Sequence, residues 1–101
     1  MSTSTDIAVD EQVKVRVPEP KKWKVIVLND DQTPIDFVIA LLIEVFKHTP
    51  SSASALTMQV HETGSAVAGV YSFEIAEIKS VEATTLARSE GFPLQIKLEE
   101  D

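Results

Sequence analysis

The chain has 101 residues, of which 44% are hydrophobic, and this is enough for one small domain with a single modest core. It has no cysteine, so disulfides, thiol catalysis and cysteine-based zinc sites are excluded. The formal net charge is −7, and from Val25 onward there are four basic and twelve acidic residues, a balance that repels nucleic acid and anionic lipid and favours a cationic or apolar partner.

Residues 1–22 are predicted to form a flexible N-terminal extension, and residues 23–101 the folded domain. The extension mixes small, polar and charged residues, contains Pro18-Glu19-Pro20 and has no helical stripe. Polar and apolar residues alternate in Gln12–Val17, so an edge strand that forms on docking remains an alternative. The sequence has no secretory leader and no apolar run near the roughly 20 residues that cross a bilayer, which predicts a cytoplasmic protein without a membrane partner.

A strand, a polar turn and a helix start follow one another closely. Trp23 to Leu28 is rich in β-branched and apolar residues and predicts a buried strand, which ends at Asn29-Asp30-Asp31. Thr33 is predicted to cap the first helix, with Pro34 at its first position and Asp36 closing a capping box. Two carboxylates and an amide thus lie beside a helix N-terminus, and their excess negative charge favours a cationic ligand.

Five further elements complete the domain. The first helix is predicted to run from Pro34 to Lys47, and it is apolar on more than one face, which favours burial on several sides over an apolar binding groove. The remaining predicted elements are a second helix from about Ser51 to Thr63 after a Thr49-Pro50 cap, a strand at Ala66–Tyr71, a third helix with Ser72 as its N-cap that runs to about Glu90, and a strand around Leu94–Glu99. The order βααβαβ predicts a compact α+β domain with a three-stranded antiparallel sheet packed against three helices.

The residues offer little for catalysis. His48 and His61 are the histidines, no serine stands in the context of a nucleophile elbow, and the three glycines form no phosphate-binding loop. His61 could pair with Asp31 as base and orienter, and Asp30, Asp31 and His61 could hold a divalent metal, although Asn-Asp-Asp lacks the spacing of a calcium loop. We therefore expect no enzyme, no metal and no cofactor, with a small metal-dependent hydrolase as a remote alternative.

A binding function needs fewer coincidences. Asp31, the amide oxygen of Asn29 and a neutral imidazole at His61 are three acceptors, and three acceptors suit one primary ammonium group. An ordinary solvated turn explains Asn29 to Asp31 equally well, and a helix histidine is more often satisfied by a neighbour than by a ligand. The residues alone leave these alternatives open.

Several separated motifs resemble the ClpS adaptor family over about Trp23 to Glu99. In chain order they are Asn29-Asp30-Asp31-x-Thr33-Pro34, Val60-His61, Gly64, Ala68-Gly69-Val70, Glu74-x-Ala76-Glu77-x-Lys79 and Pro93-Leu94. The resemblance implies a non-enzymatic, monomeric adaptor without cofactors. Such an adaptor binds proteins whose first residue is a large hydrophobic one (Phe, Tyr, Trp or Leu) and delivers them to an AAA+ Clp unfoldase and protease.

The resemblance also implies a role for each matching residue. Asn29, Asp31 and His61 would hold the α-ammonium group, and Asp30 would contact the first peptide unit. The side-chain pocket would comprise Thr33, Ile35, Val38, Thr57, Val60 and Leu94. The surface for the N-terminal domain of a ClpA or ClpC unfoldase would lie at the start of the third helix, including Glu74 and Lys79, which the residues alone would assign to a solvated face.

Two positions depart from the family pattern. The family commonly has methionine where Ile35 and Thr57 stand, so the pocket has a stiff gate and a shorter wall residue. We expect this change to favour Phe, Tyr and Trp over Leu. The alternative function is a scaffold of the same fold, similar to the C-terminal domain of ribosomal stalk proteins, that binds a partner helix without recognising N-termini.

Overall fold

The computed structural model describes residues 21–101 and shows the six elements in the predicted order. They are β1 (Lys22–Leu28), α1 (Ile35–Glu44), α2 (Pro50–Thr63), β2 (Ser65–Ser72), α3 (Phe73–Ser89) and β3 (Gln95–Glu100). The N-terminal extension and the Gln12–Val17 alternative lie outside the described residues, except for Lys21 and Lys22, and Lys22 already belongs to β1. No helix within residues 21–101 is long and apolar enough to cross a membrane.

The predicted α+β fold is confirmed, with an antiparallel sheet of order β2-β1-β3. The central strand β1 buries Val25, Ile26 and Val27, because a strand with neighbours on both sides and helices against it has little contact with water. The pairing of β1 with β2 shifts between Val25 and Ile26, which face Gly69 and Val67, so Ala68 forms a β-bulge.

The helices pack on the sheet through different kinds of side chain. Helix α1 buries Val38, Leu41 and Leu42, and its half-buried residues Phe37, Ile39 and Ile43 also pack against the core. Helix α3 buries only alanines, Ala76, Ala83 and Ala87, and such short side chains let a helix approach a sheet closely. The many apolar residues of α1 are therefore explained mainly by packing on several sides.

The predicted cap of α1 is wrong. Pro34 occupies the N-cap position, in extended conformation and without a side-chain cap bond, and the helix begins at Ile35. The Thr33 hydroxyl instead donates to Asp30 Oδ2 at 2.7 Å, so its hydrogen bond goes to the preceding turn and no capping box with Asp36 forms. The second cap agrees with the prediction, since Thr49 accepts from the Ser52 N–H and Gly64 ends α2 with φ 98°.

The end of α1 also differs from the prediction. The helix stops at Glu44, three residues before Lys47, and Lys47 adopts a left-handed backbone with φ 63°. The His48 N–H then donates to the Leu42 carbonyl at 3.1 Å. Helical periodicity alone did not locate this end, because Val45 and Phe46 are buried core residues beyond the regular helix.

Candidate functional site

A cavity of about 250 Å³ opens between the turn after β1, the start of α1 and the second half of α2. Its lining residues are Asn29, Asp30, Asp31, Thr33, Ile35, Val38, Thr57, Val60 and His61. The turn supplies most of the polar groups and the two helices supply the apolar wall. Elements distant in sequence thus place acidic and apolar groups around one space.

Helix geometry explains which residues α2 contributes. Thr57, Val60 and His61 are spaced three and four residues apart, and such residues share one face of a helix. Thr57 and Val60 are buried, whereas His61 is exposed. The last turn of α2 is tied to the acidic turn because the Asn29 N–H donates to the Gly64 carbonyl at 2.9 Å.

Asp30 organises the turn. Its Oδ1 accepts from the backbone N–H groups of Gln32 and Thr33, both at 2.8 Å, while Oδ2 accepts from the Thr33 hydroxyl. Burial raises the pKa of this carboxyl, but the hydrogen bonds from Thr33 and Gln32, with the positive charge of Arg88, outweigh burial and hold the pKa below its ordinary value. Asp30 is therefore ionised at neutral pH and already engaged by its own turn.

The side chains of Asn29, Asp31 and His61 are not engaged in this way. Within residues 21–101 the structure gives hydrogen bonds to the Asp30 side chain but none to the side chains of Asn29, Asp31 or His61. All three residues are exposed and line the cavity. No residue within 21–101 occupies their acceptor atoms, and the nearby carboxylates favour a cationic ligand.

Two groups of predicted site residues lie elsewhere. Leu94 is only 1% exposed and belongs to the core, and it is not among the lining residues. Glu74 is exposed in the first turn of α3, whereas the Lys79 ammonium donates to the Val45 carbonyl at 2.7 Å and joins α3 to the end of α1. Lys79 therefore has a structural partner that the expected solvated helix face did not include.

The sequence did not predict the contacts of two polar residues, Arg88 and His48. The Arg88 guanidinium donates to the carbonyls of Phe92 and Leu94, each at 2.8 Å, and its charge acts on Asp30. His48 lies half-buried, with Nε2 2.6 Å from the carbonyl of the bulge residue Ala68. The His48 contact has no local sequence signal, because Ala68 belongs to β2, whereas the two carbonyls that Arg88 contacts lie four and six residues further along the chain.

The metal alternative gains no support from the described residues. Within residues 21–101 no group of three or more histidine, aspartate or glutamate side chains is placed to hold a metal ion, and Asp30, Asp31 and His61 therefore do not form one. Fold and cavity together define a small α+β domain whose acid-rimmed, apolar-walled space suits a small cationic ligand with an apolar side chain.

The comparisons with known proteins agree with this description. The family model "ATP-dependent Clp protease adaptor protein ClpS" matches residues 18–97, and the chain belongs to the ClpS family of Clp protease adaptors. The ATP-dependent Clp protease adapter protein ClpS of Oleidesulfovibrio alaskensis is 41% identical over 95 residues, covering 94% of this chain and 88% of that protein. The protein of the same name from Treponema denticola is 46% identical over 81 residues, covering 80% of each chain.

A solved structure shows the same fold. The structure of Agrobacterium tumefaciens ClpS2 bound to L-phenylalaninamide is 42% identical to this chain and superposes with a TM-score of 0.80. The match covers 82% of this chain and all of the other. The family membership predicted from the separated motifs is thereby confirmed.

Proposed function

We propose that this adaptor binds the free N-terminus of proteins that begin with a large hydrophobic residue and delivers them to an AAA+ Clp unfoldase for degradation. The observation that carries the proposal is the meeting of three acceptors, Asn29, Asp31 and His61, with an apolar wall in one cavity. The Agrobacterium relative was solved with L-phenylalaninamide, a ligand that carries both a free α-amine and a phenyl side chain.

The polar groups account for recognition of a chain end. A peptide α-amine has a pKa near 7.7–8.0, so most of it is charged at neutral pH, and each chain has only one. Asp31 supplies the opposite charge, while the amide oxygen of Asn29 and the imidazole of His61 in its neutral form offer acceptors for the remaining ammonium protons. Asp30, held in its turn, contacts the first peptide unit in this proposal.

The apolar wall accounts for recognition of the first side chain. Val38 and Val60 are 5% and 4% exposed and form its interior, while Ile35 is 43% exposed at the mouth. A volume of about 250 Å³ lies below the roughly 300–1,000 Å³ of sites for drug-sized ligands, which suits one side chain with its amine. Leu94 does not line the cavity and contributes as a core residue, in the same buried cluster as Val38 and Val60.

Delivery uses other parts of the chain. The start of α3, with Glu74 exposed and Lys79 beside the end of α1, is the proposed docking surface for the N-terminal domain of a ClpA or ClpC unfoldase. The division into an extension (1–22) and an adaptor domain (23–101) assigns delivery to the extension and capture to the domain. The adaptor acts as a monomer in the cytoplasm, by binding and without catalysis.

A peptide titration tests the proposal. The full chain should bind a peptide that begins with a free Phe and should not bind its N-acetylated twin, because acetylation removes the charge and two donors. A scaffold for a partner helix would bind neither peptide, and a hydrolase would cleave one of them. Either of those results would reject capture of N-termini.

A further inference from the structure

Thr57 is the one polar residue that the described part of the chain buries almost completely, at 2% exposure. It also lines the cavity, together with the apolar residues Val38 and Val60. A hydroxyl in such surroundings costs free energy unless it is hydrogen-bonded, so its bonding state decides what it can offer a ligand.

The donor capacity of this hydroxyl is already used. Thr57 Oγ1 donates to the carbonyl of Ala53, one turn earlier in α2, at 2.8 Å. A threonine hydroxyl has one proton and two acceptor lone pairs, so only acceptor capacity remains. Bulk water has almost no access to Thr57, and because Thr57 lines the cavity, a ligand bound there is the group that could reach this acceptor.

The position of Thr57 relative to the amine site determines which part of the ligand would contact Thr57. Thr57 precedes His61 by four residues on the same helix face, a rise of about 6 Å along the helix axis. A ligand whose ammonium group is held by Asp31 and His61 would therefore bring the far part of its first side chain towards Thr57.

We propose that Thr57 makes the cavity selective for a first side chain that carries a hydrogen-bond donor, the phenol of tyrosine or the indole N–H of tryptophan. This inference rests on the proposed function. Phenylalanine and leucine side chains contact the apolar wall but offer no donor to Thr57 Oγ1. Tyrosine and tryptophan supply a donor, and the low dielectric of the buried site strengthens the resulting hydrogen bond. Thr57 is thus a specificity-determining residue.

The test is a thermodynamic cycle on the full chain. Dissociation constants are measured for two peptides that differ only in a first residue of Tyr or Phe, with the parent and with Thr57→Val, which keeps the shape and removes the hydroxyl. The preference for Tyr over Phe should be about two- to tenfold greater in the parent than in the variant. Thr57→Ser should retain the preference of the parent.

A matched control is available on the same helix. Thr63 Oγ1 also donates to the carbonyl four residues earlier, Gln59 at 2.8 Å, but Thr63 is exposed and does not line the cavity. Thr63→Val should leave the Tyr to Phe ratio unchanged. An equal ratio in the parent and in Thr57→Val would overturn the inference.

A second measurement needs no variant, so it stands even if Thr57→Val does not fold. Trp-initiated peptide is compared on the parent chain with a peptide in which sulfur replaces the indole N–H, and the sulfur analogue should bind about two- to tenfold more weakly. Equal binding of both would count against the acceptor. Binding of free and acetylated peptides alike would overturn the proposed function and this inference with it, whereas free-amine selectivity with no donor effect would overturn the inference alone.

Discussion

Removing the Asp31 carboxylate should weaken peptide binding strongly without unfolding the domain. Asp31 is exposed, lines the cavity and has no hydrogen-bond partner for its side chain within residues 21–101, so Asp31→Ala removes no contact that holds the described fold together. It does remove the charge-assisted acceptor proposed for the α-ammonium group.

The expected loss follows from the kind of bond. A hydrogen bond between charged groups contributes about 1–3 kcal/mol, with the lower part of the range favoured because Asp31 is exposed and water screens it. This corresponds to an increase in Kd of about 5- to 150-fold for a Phe-initiated peptide, measured by calorimetry or fluorescence anisotropy. His61→Ala removes a neutral acceptor and should fall in the lower half of that range.

Asp36→Asn is the matched control. Asp36 is an exposed acid in the first turn of α1, close in sequence to the site, but it does not line the cavity. Its loss tests whether overall negative charge, rather than a direct contact, attracts the peptide. The assignment of the amine site would be refuted if Asp31→Ala bound as tightly as the parent, or if Asp36→Asn weakened binding equally.

The pH dependence gives an independent check of the same site. The amine must be protonated to be held, so between pH 7 and pH 9 affinity should fall as the pH rises through the peptide amine pKa of about 7.7–8.0. Asp31→Ala should flatten that fall, because the carboxylate is what distinguishes ammonium from amine. A parent affinity that stayed constant from pH 7 to pH 9 would contradict recognition of a charged amine.

Three further predictions concern other parts of the chain. Asp30→Ala should lower the free energy of unfolding by about 1–2 kcal/mol in denaturant titrations at pH 7. Folding lowers the Asp30 pKa below 3.8, so this contribution is present above pH 3.8 and is lost as the pH falls through the folded-state pKa. The stabilities of parent and variant should therefore converge in acid. Thr57→Met should shift binding from Phe-initiated towards Leu-initiated peptides by lengthening the wall residue, and an unchanged ratio would reject the argument from pocket shape. A chain that starts at Lys21 should bind peptide and the unfoldase N-terminal domain like the full chain yet fail to stimulate proteolysis of a Phe-initiated reporter, and equal degradation rates would show that the extension is dispensable.

Local sequence patterns determined the order and type of all six elements. Alternation predicted the edge strand β3, and the Thr49-Pro50 cap with Gly64 predicted both ends of α2, because capping and turn preferences act within a few residues. The separated motifs were enough to indicate the family, and nine of the ten residues assigned to the amine site and pocket line one cavity. Helix spacing alone places Thr57, Val60 and His61 on one face.

Only the tertiary structure decided the hydrogen-bond partners of polar side chains whose contacts lie far away along the chain. Lys79 reaches the Val45 carbonyl, 34 residues away along the chain, and His48 Nε2 lies 2.6 Å from the Ala68 carbonyl, 20 residues away. A side chain with several possible partners takes those that the packed elements bring within reach, and their positions depend on how α1 and α3 lie against the sheet. The Thr57 bond to the Ala53 carbonyl is the local bond that a threonine within a helix commonly makes, whereas the same tertiary packing placed Leu94 in the core, for which the sequence carries no local signal.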